Sequence, residues 1–135
     1  MKSYALDASA VVDYVQSGPG SGKIEQLLAD AFRQQLRLYI SVLNVGEVFY
    51  LTWQRTGEER ARQAVANLSR LPMQIIPVDL SQTLRAGQLK ALHNIPYVDC
   101  IAAALAMEQN ATLVTADHHF EKLGHHFPIL WLTRP

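Results

Sequence analysis

Thr112-Leu113-Val114-Thr115-Ala116-Asp117 is the stretch that decides the fold of this 135-residue chain. Its first four residues are apolar or β-branched and predict a short buried strand, and an aspartate follows shortly after that strand. A similar stretch opens the chain, where Ser3-Tyr4-Ala5-Leu6 is followed by Asp7. Short strands that lead through an acid into a helical pattern are typical of a parallel sheet in an α/β fold.

Between these two stretches, segments of helical period alternate with short apolar runs. Further strands are predicted over residues 38–40, 73–78 and 129–131. Helices are predicted over residues 8–16, 24–32, 58–69, 80–92, 96–110 and 119–123, with one more that Ser41 caps and that continues to Trp53. This order predicts an α/β/α sandwich with a central, mostly parallel sheet of four to five strands. We expect one domain over residues 1–135.

The charge balance limits how this chain could hold nucleic acid. Apolar residues make up 49% of the chain, enough for a sizeable core, and 12 basic residues balance 12 acidic ones. The chain therefore lacks the basic excess of a protein that binds nucleic acid by charge alone. A nucleic-acid substrate is not excluded, but an acidic site would have to recruit cations before it could approach phosphates.

The remaining bulk features argue for a soluble, cytoplasmic protein. The chain begins without a signal-peptide run, and no stretch approaches the roughly 18 apolar residues of a membrane span, so no membrane partner is expected. Its single cysteine, Cys100, lies in an alanine-rich helical stretch. We interpret it as a small core residue rather than a catalytic thiol.

The loop Ser17-Gly18-Pro19-Gly20-Ser21-Gly22, with Lys23 after it, is superficially like a phosphate-binding loop. However, Ser17 stands where the first glycine belongs, and Ile24 replaces the serine or threonine that follows the lysine. A predicted helix, rather than a strand, precedes the loop. The pattern therefore favours a plain connecting loop.

Four acids occupy positions that the predicted topology brings together. Asp7 and Asp117 come just past strands, and Glu47 and Asp99 lie near the starts of helices. Ligands of open α/β sheets bind outside the carboxyl ends of the strands, where these positions converge. Clustered carboxylates raise one another's pKa and are tolerated mainly around a cation, for which oxygen ligands select Mg²⁺ or Mn²⁺. Such an ion can activate water for phosphodiester hydrolysis.

Each acid also has a structural interpretation. An aspartate after a strand is often only a helix N-cap, and Asp99 suits the positive end of a helix dipole. Only the joint placement sets the four apart from other acids of the chain. Among those, we interpret Asp13, Asp30, Asp79 and Glu121 as surface or capping groups. Asn44 and Glu47 lie three residues apart, so they are predicted to share a helix face, and not the face toward the core.

Local strings add a resemblance that covers nearly the whole chain. They are Tyr4-Ala5-Leu6-Asp7-Ala8-Ser9, Tyr97-Val98-Asp99-Cys100-Ile101-Ala102-Ala103-Ala104 and Leu113-Val114-Thr115-Ala116-Asp117-His118-His119-Phe120-Glu121-Lys122-Leu123. In order and spacing they resemble the first, third and fourth acid motifs of the PIN-domain family, especially the toxin nucleases of VapBC toxin–antitoxin pairs. Ser41-Val42-Leu43-Asn44-Val45-Gly46-Glu47 resembles the less distinctive second acid motif.

The resemblance implies a metal-dependent ribonuclease. The four acids would be catalytic and would bind one or two Mg²⁺ or Mn²⁺ ions, with Asp7, Asp99 and Asp117 as metal ligands. Supporting roles would fall to Ser9, Asn44 and Thr115. The implied partners are an RNA substrate, a cognate antitoxin protein and a second copy of the chain. The apolar helices around residues 24–32 and 45–53 could support such a homodimer.

Histidine and arginine residues raise further possibilities. His118-His119 and His125-His126 lie close to Asp117 in sequence, but adjacent histidines point apart and complete no familiar metal-ligand spacing. We interpret them as exposed, with His118 and His119 as the candidates for substrate contact. RNA affinity would rest on local patches, and the candidates are Arg33 with Arg37 and Arg55 with Arg60 and Arg62. Solvated helix faces are the favoured interpretation of these arginines.

Two other functions compete with the nuclease. A non-catalytic, PIN-like interaction module is the first, although a degenerate domain would be expected to have lost some of the acids. A phosphatase or phosphotransferase with a strand-end aspartate nucleophile is the second. Such enzymes typically carry another aspartate two residues after the first, and here that position is Ser9.

Overall fold

The computed structural model describes residues 1–133, whose five strands form one parallel sheet. The strands are β1 (Lys2–Leu6), β2 (Leu36–Ser41), β3 (Gln74–Ile76), β4 (Thr112–Thr115) and β5 (Ile129–Trp131), in the spatial order β3-β2-β1-β4-β5. The prediction of a mostly parallel sheet of four to five strands is confirmed. The single domain over residues 1–135 stays a prediction, because residues 134–135 lie outside the described part.

Helices connect these strands, as parallel pairing requires a crossover between successive strands. They are α1 (Ala8–Val15), α2 (Ser21–Phe32), α3 (Val42–Thr56), α4 (Glu58–Leu68), α5 (Leu80–His93), α6 (Tyr97–Glu108) and a 3₁₀ helix (His118–Leu123). One core cluster joins the sheet to helices α1 to α4, and a second joins its other face to α5 and α6. The predicted α/β/α sandwich is confirmed.

Alternate strand residues divide between the two core clusters. Leu6 and Val114 face the first cluster, whereas Ala5 and Leu113 face the second, which is the alternation expected of a strand. Helix α6 lies against the second face with a run of buried small residues from Cys100 to Ala106. Burial raises the pKa of the Cys100 thiol, as expected for the predicted core residue and not for a reactive thiolate.

Helix α3 differs from its prediction in the face that it buries. Its buried residues are Asn44, Val48 and Thr52, four apart, while Trp53 is 42% exposed. The prediction that Asn44 lies away from the core is therefore wrong. A buried amide is tolerated there because Asn44 Nδ2 donates a hydrogen bond of 2.7 Å to Glu47 Oε1.

The glycine-rich segment between α1 and α2 is a connecting loop, as predicted. The Asp13 carboxylate accepts the Gly20 N–H at 2.6 Å, and a Cβ at Gly18 would meet the same carboxylate. The close approach of this backbone to Asp13 accounts for glycine at both positions. Asp13 therefore holds the loop before α2 without capping a helix, whereas Asp79 has the capping role expected of it, through the Gln82 N–H at 2.8 Å.

Candidate active site

Asp7 lies where β1 ends and α1 begins, and it is 3% exposed. Its Oδ1 accepts hydrogen bonds from Ser9 Oγ at 2.7 Å and from the Ala10 N–H at 3.0 Å. Its Oδ2 accepts one from Thr115 Oγ1 at 2.6 Å. Both oxygens of this buried carboxylate are thus held by donors, which fixes the orientation of the group.

Thr115 joins the end of β1 to the end of β4. Besides donating to Asp7, its hydroxyl oxygen accepts the Asp117 N–H at 2.9 Å. Ser9 makes a second connection, since its Oγ accepts the Ala116 N–H at 2.9 Å and lies 3.1 Å from Thr115 Oγ1. The two supporting hydroxyls that the resemblance implied therefore lie between the two strand-end acids.

Asp99 and Asp117 approach each other beside His119. Asp99 lies in the first turn of α6, and Asp117 caps the 3₁₀ helix by accepting the His119 N–H at 2.9 Å. His119 Nδ1 is 3.1 Å from Asp117 Oδ1 and 3.4 Å from Asp99 Oδ2. One potential ligand atom from each of these three residues falls within 4.8 Å of the other two. They form a compact group of metal-ligating atoms.

Glu47 approaches the same edge of the sheet from α3. The Asn44 amide one turn earlier holds its carboxylate, which is partly buried. The charge of Glu47 contributes to raising the pKa of Asp99, and the charge of Asp117 contributes to raising the pKa of Glu47. Glu47 therefore lies within electrostatic range of Asp99 and Asp117, and Asp7 lies within range of Asp99. The compact group of ligand atoms itself contains Asp99 and Asp117 but neither Asp7 nor Glu47.

The electrostatics of this cluster fit a divalent cation. Burial raises the pKa of Asp7 to about 7, and its hydrogen bonds only partly oppose that rise. Burial, and then the charges of Asp117 and Glu47, raise the pKa of Asp99 to about 6. Burial likewise raises the pKa of Glu47. Buried carboxylates that disfavour one another's ionised form become compatible when a cation sits among them, so their donor atoms fit Mg²⁺ or Mn²⁺.

The two adjacent histidines point apart, as predicted, but the prediction that both are exposed is wrong for His118, whose ring is partly buried. Its ring stacks on Trp131, with centroids 5.0 Å apart and planes 11° from parallel. His119 instead turns toward Asp99 and Asp117, a role that the sequence interpretation did not assign to it. The sequence signal for this role is the position of His119 two residues after Asp117. The Asp117 carboxylate, which caps the 3₁₀ helix, accepts the backbone N–H of His119.

The aspartate-nucleophile alternative expects a second aspartate two residues after Asp7. That position holds Ser9, whose hydroxyl donates to Asp7 Oδ1 at 2.7 Å. Two of the candidate RNA-binding arginines form ion pairs with acids close to them in sequence. Arg62 pairs with Glu58 at 2.8 Å on α4, and Arg33 approaches Asp30 at 3.7 Å on α2. These contacts support the interpretation of solvated helix faces.

A comparison with protein families decides the classification. Residues 4–126 match the family model described as PIN domain. The chain belongs to the PIN domain family. No curated protein matches this PIN domain. Within the described residues, no helix is long and apolar enough to cross a membrane.

Solved structures share the fold of this PIN domain at low sequence identity. VapC20 from Mycobacterium tuberculosis, described as a sarcin-ricin loop cleaving toxin, superposes with a TM-score of 0.74 at 16% identity, covering 94% of this chain and 98% of that one. DNA-bound VapBC from Salmonella typhimurium gives 0.74 at 17%, covering 98% and 100%. VapBC2 from Rickettsia felis, bound to a promoter DNA fragment, gives 0.72 at 22%, covering 95% and 96%. These likenesses establish the fold.

Proposed function

We propose that this PIN domain is a metal-dependent endoribonuclease and the toxin of a toxin–antitoxin pair. The observation that carries the proposal is the convergence of Asp7, Glu47, Asp99 and Asp117 at the carboxyl edge of the parallel sheet. Burial is the main cause of the raised pKa of Asp7, Asp99 and Glu47, and neighbouring carboxylate charges add to it, so a cation among them would favour their ionised forms. Similarity in fold to VapC20, described as a toxin that cleaves the sarcin-ricin loop, supports RNA as the substrate.

The residues of the site divide into holding and proton-transfer roles. Asp7, Asp99 and Asp117 would hold Mg²⁺ or Mn²⁺. When bound, the ion supplies positive charge for the scissile phosphate and makes the attacking water more acidic. Glu47 or Asp117 would orient that water or accept its proton, and the raised pKa of Glu47 makes it a stronger base than an ordinary glutamate.

The supporting residues keep the carboxylates in position. Ser9 and Thr115 orient Asp7 through its two oxygens, and Asn44 orients Glu47. Such partners matter because a small displacement of a catalytic group costs a large part of the rate. Loss of the hydrogen bond from Asn44 should therefore impair cleavage without removing any acid.

A groove beside the acids suits a strand of RNA. It measures about 590 Å³, and its lining includes Ser9, Asp117, His118 and the exposed residues Gln16 and Arg55. Arg55 Nη1 donates to Gln16 Oε1 at 3.4 Å, which leaves its charge near the groove. Arginine is well suited to phosphate contacts. Because the chain has no net positive charge, both this arginine and the bound cation would be needed to offset the negative charge of the four acids when RNA approaches.

An antitoxin protein is the proposed partner, and the cytoplasm the proposed compartment. The support is that several structures of the same fold are VapBC toxin–antitoxin complexes. A second copy of the chain is the other proposed partner, with α2 and α3 as candidate contact helices. Inhibition of cleavage by the product of an adjacent reading frame would test the antitoxin. Sedimentation of the purified chain would test the dimer.

Cleavage of purified RNA by the full chain tests the nuclease. We expect products with Mg²⁺ or Mn²⁺, none with a chelator, and none from Asp99→Asn in either ion. Asp79→Asn is the matched control, because Asp79 also lies at a helix start but outside the acid cluster, and asparagine preserves an N-cap. Full cleavage by Asp99→Asn would overturn the site assignment.

The non-catalytic interaction module makes the opposite prediction for metal binding. A domain that only binds partners has no need of the ion, so calorimetric titration with Mg²⁺ and Mn²⁺ would give no binding heat. The retention of all four acids, in mutual electrostatic range, favours the nuclease over this module. Metal binding together with RNA cleavage would exclude it.

A further inference from the structure

His119 holds a position that the four-acid description of the site does not use. Its Nδ1 lies 3.1 Å from Asp117 Oδ1 and 3.4 Å from Asp99 Oδ2, so the ring nitrogen faces two carboxylates from different elements. The Asp117 carboxylate also holds the backbone of His119 at 2.9 Å. The imidazole is therefore presented to the acids by the start of the 3₁₀ helix, and does not reach them from a distant part of the chain.

These spacings match the edges of a metal coordination shell. Ligand atoms about 2.1 Å from a divalent ion lie about 3.0 Å apart at neighbouring corners of an octahedron. In a tetrahedral shell of about the same bond length they lie about 3.4 Å apart. The two nitrogen–oxygen distances, 3.1 and 3.4 Å, lie within about 0.5 Å of the octahedral value, and the third edge, between the two carboxylates, is within 4.8 Å.

We propose that His119 Nδ1 is a nitrogen ligand of the divalent cation held by Asp99 and Asp117, and that it gives the site a preference for Mn²⁺ over Mg²⁺. The inference rests on the proposed metal-dependent function and adds to it the identity of one ligand and one ion. Mg²⁺ takes oxygen ligands almost exclusively, whereas imidazole binds later first-row ions well and Mn²⁺ accepts both.

The competing explanation is that His119 serves only as a counter-ion. Its side chain is 58% exposed, so a protonated ring could pair with the two carboxylates and swing into solvent when a cation arrives. The two explanations differ in what happens to the nitrogen after the ion binds. A ligand stays within bonding distance of the metal, and a counter-ion is displaced by it.

Pulsed electron paramagnetic resonance of the full chain loaded with Mn²⁺ separates these outcomes. The Mn²⁺ signal of the wild type should show coupling to a directly bonded nitrogen, and the coupling should change when the histidines carry ¹⁵N. His119→Ala should abolish it. His125→Ala is the matched control, since His125 is an exposed histidine in the turn after the 3₁₀ helix, and it should leave the coupling unchanged.

Calorimetry supplies the second measurement. His119→Ala should weaken Mn²⁺ binding by about 10-fold or more and change Mg²⁺ binding by less than about 2-fold, since Mg²⁺ gains little from a nitrogen ligand. Mn²⁺ bound without nitrogen coupling, or bound more tightly by His119→Ala, would overturn the inference. RNA cleavage by the wild type would in that case leave the proposed function intact. If the wild type bound neither ion, both proposals would fail.

Discussion

The ends of β1 and β4 carry acids in equivalent positions but in contrasting surroundings. Asp7 and Asp117 each follow a strand and cap the helix after it, and the two strands are direct neighbours in the sheet. Asp7 is 3% exposed and accepts three hydrogen bonds. The side chain of Asp117 is 29% exposed, and in the described part of the chain its carboxylate contacts the ring and the backbone N–H of His119.

One edge of the sheet therefore carries both a rigidly held acid and an accessible one. The end of β1 is a fixed anchor, because moving Asp7 would break hydrogen bonds to two elements. The end of β4 is open, because Asp117 can adjust to a cation or a substrate without disturbing the core. Thr115 connects them, since its hydroxyl oxygen contacts both the Asp7 side chain and the Asp117 backbone.

The largest expected effect is on cleavage by variants of the two acids. Asp7→Asn should slow RNA cleavage by about 1,000-fold or more, and Asp117→Asn by about 100-fold, because a buried charge acts through a lower dielectric. Cleavage rates of the purified variants under saturating Mn²⁺ measure both, with circular dichroism as the check on folding. A larger loss in Asp117→Asn would reverse the proposed division between anchor and open acid.

Next in size is the effect of removing the connection between the two ends. Thr115→Val should lower the free energy of unfolding by about 1–3 kcal/mol, since it leaves buried partners of the hydroxyl without a hydrogen bond. Thr112→Val, at the other end of β4, is the control and should cost about 0.5 kcal/mol or less. Equal denaturant midpoints for the two variants would show that the Thr115 hydroxyl does not stabilise the fold.

The pH dependence of stability should distinguish the two acids further. Burial raises the pKa of Asp7 in the folded protein from its ordinary value of 3.8 to about 7. Raising the pH between these values therefore lowers the free energy of unfolding of the metal-free protein. Asp7→Asn should remove the part of this decline in Tm that comes from Asp7, whereas Asp117→Asn should act on it only by lowering the raised pKa of Asp99 and Glu47. A Tm that rises from pH 4 to pH 7 would contradict the sign of the shift.

The smallest effect is expected at Ser9. Ser9→Ala removes one donor from Asp7 Oδ1, where the Ala10 N–H remains, and it removes the acceptor of the part-buried Ala116 N–H. The loss in unfolding free energy should be about 1 kcal/mol, smaller than that of Thr115→Val, whose hydroxyl bonds to the fully buried Asp7 oxygen. Denaturant unfolding of both variants in the same buffer gives this ranking, and a greater loss at Ser9 would show that the Ala10 N–H does not suffice.

Features that a short run of residues determines could be predicted from the sequence, and features that depend on tertiary packing could not. The runs before Asp7 and Asp117 are strands because of their own apolar pattern, so the convergence of their ends follows from parallel topology. The burial of Asn44 could not be derived in this way, since the packing of α3 selects its buried face. The direction of His119 depends on the start of the 3₁₀ helix and on its capping carboxylate, which no hydrophobic period reveals.

The central claim is that the four converging acids cut RNA. Sequencing of RNA ends after brief expression of the wild type or of Asp7→Asn tests it most directly. We expect new RNA ends at defined sites when the wild type is expressed. We expect these ends to be absent when Asp7→Asn is expressed at an equal protein level. The same new ends with both proteins would contradict the claim.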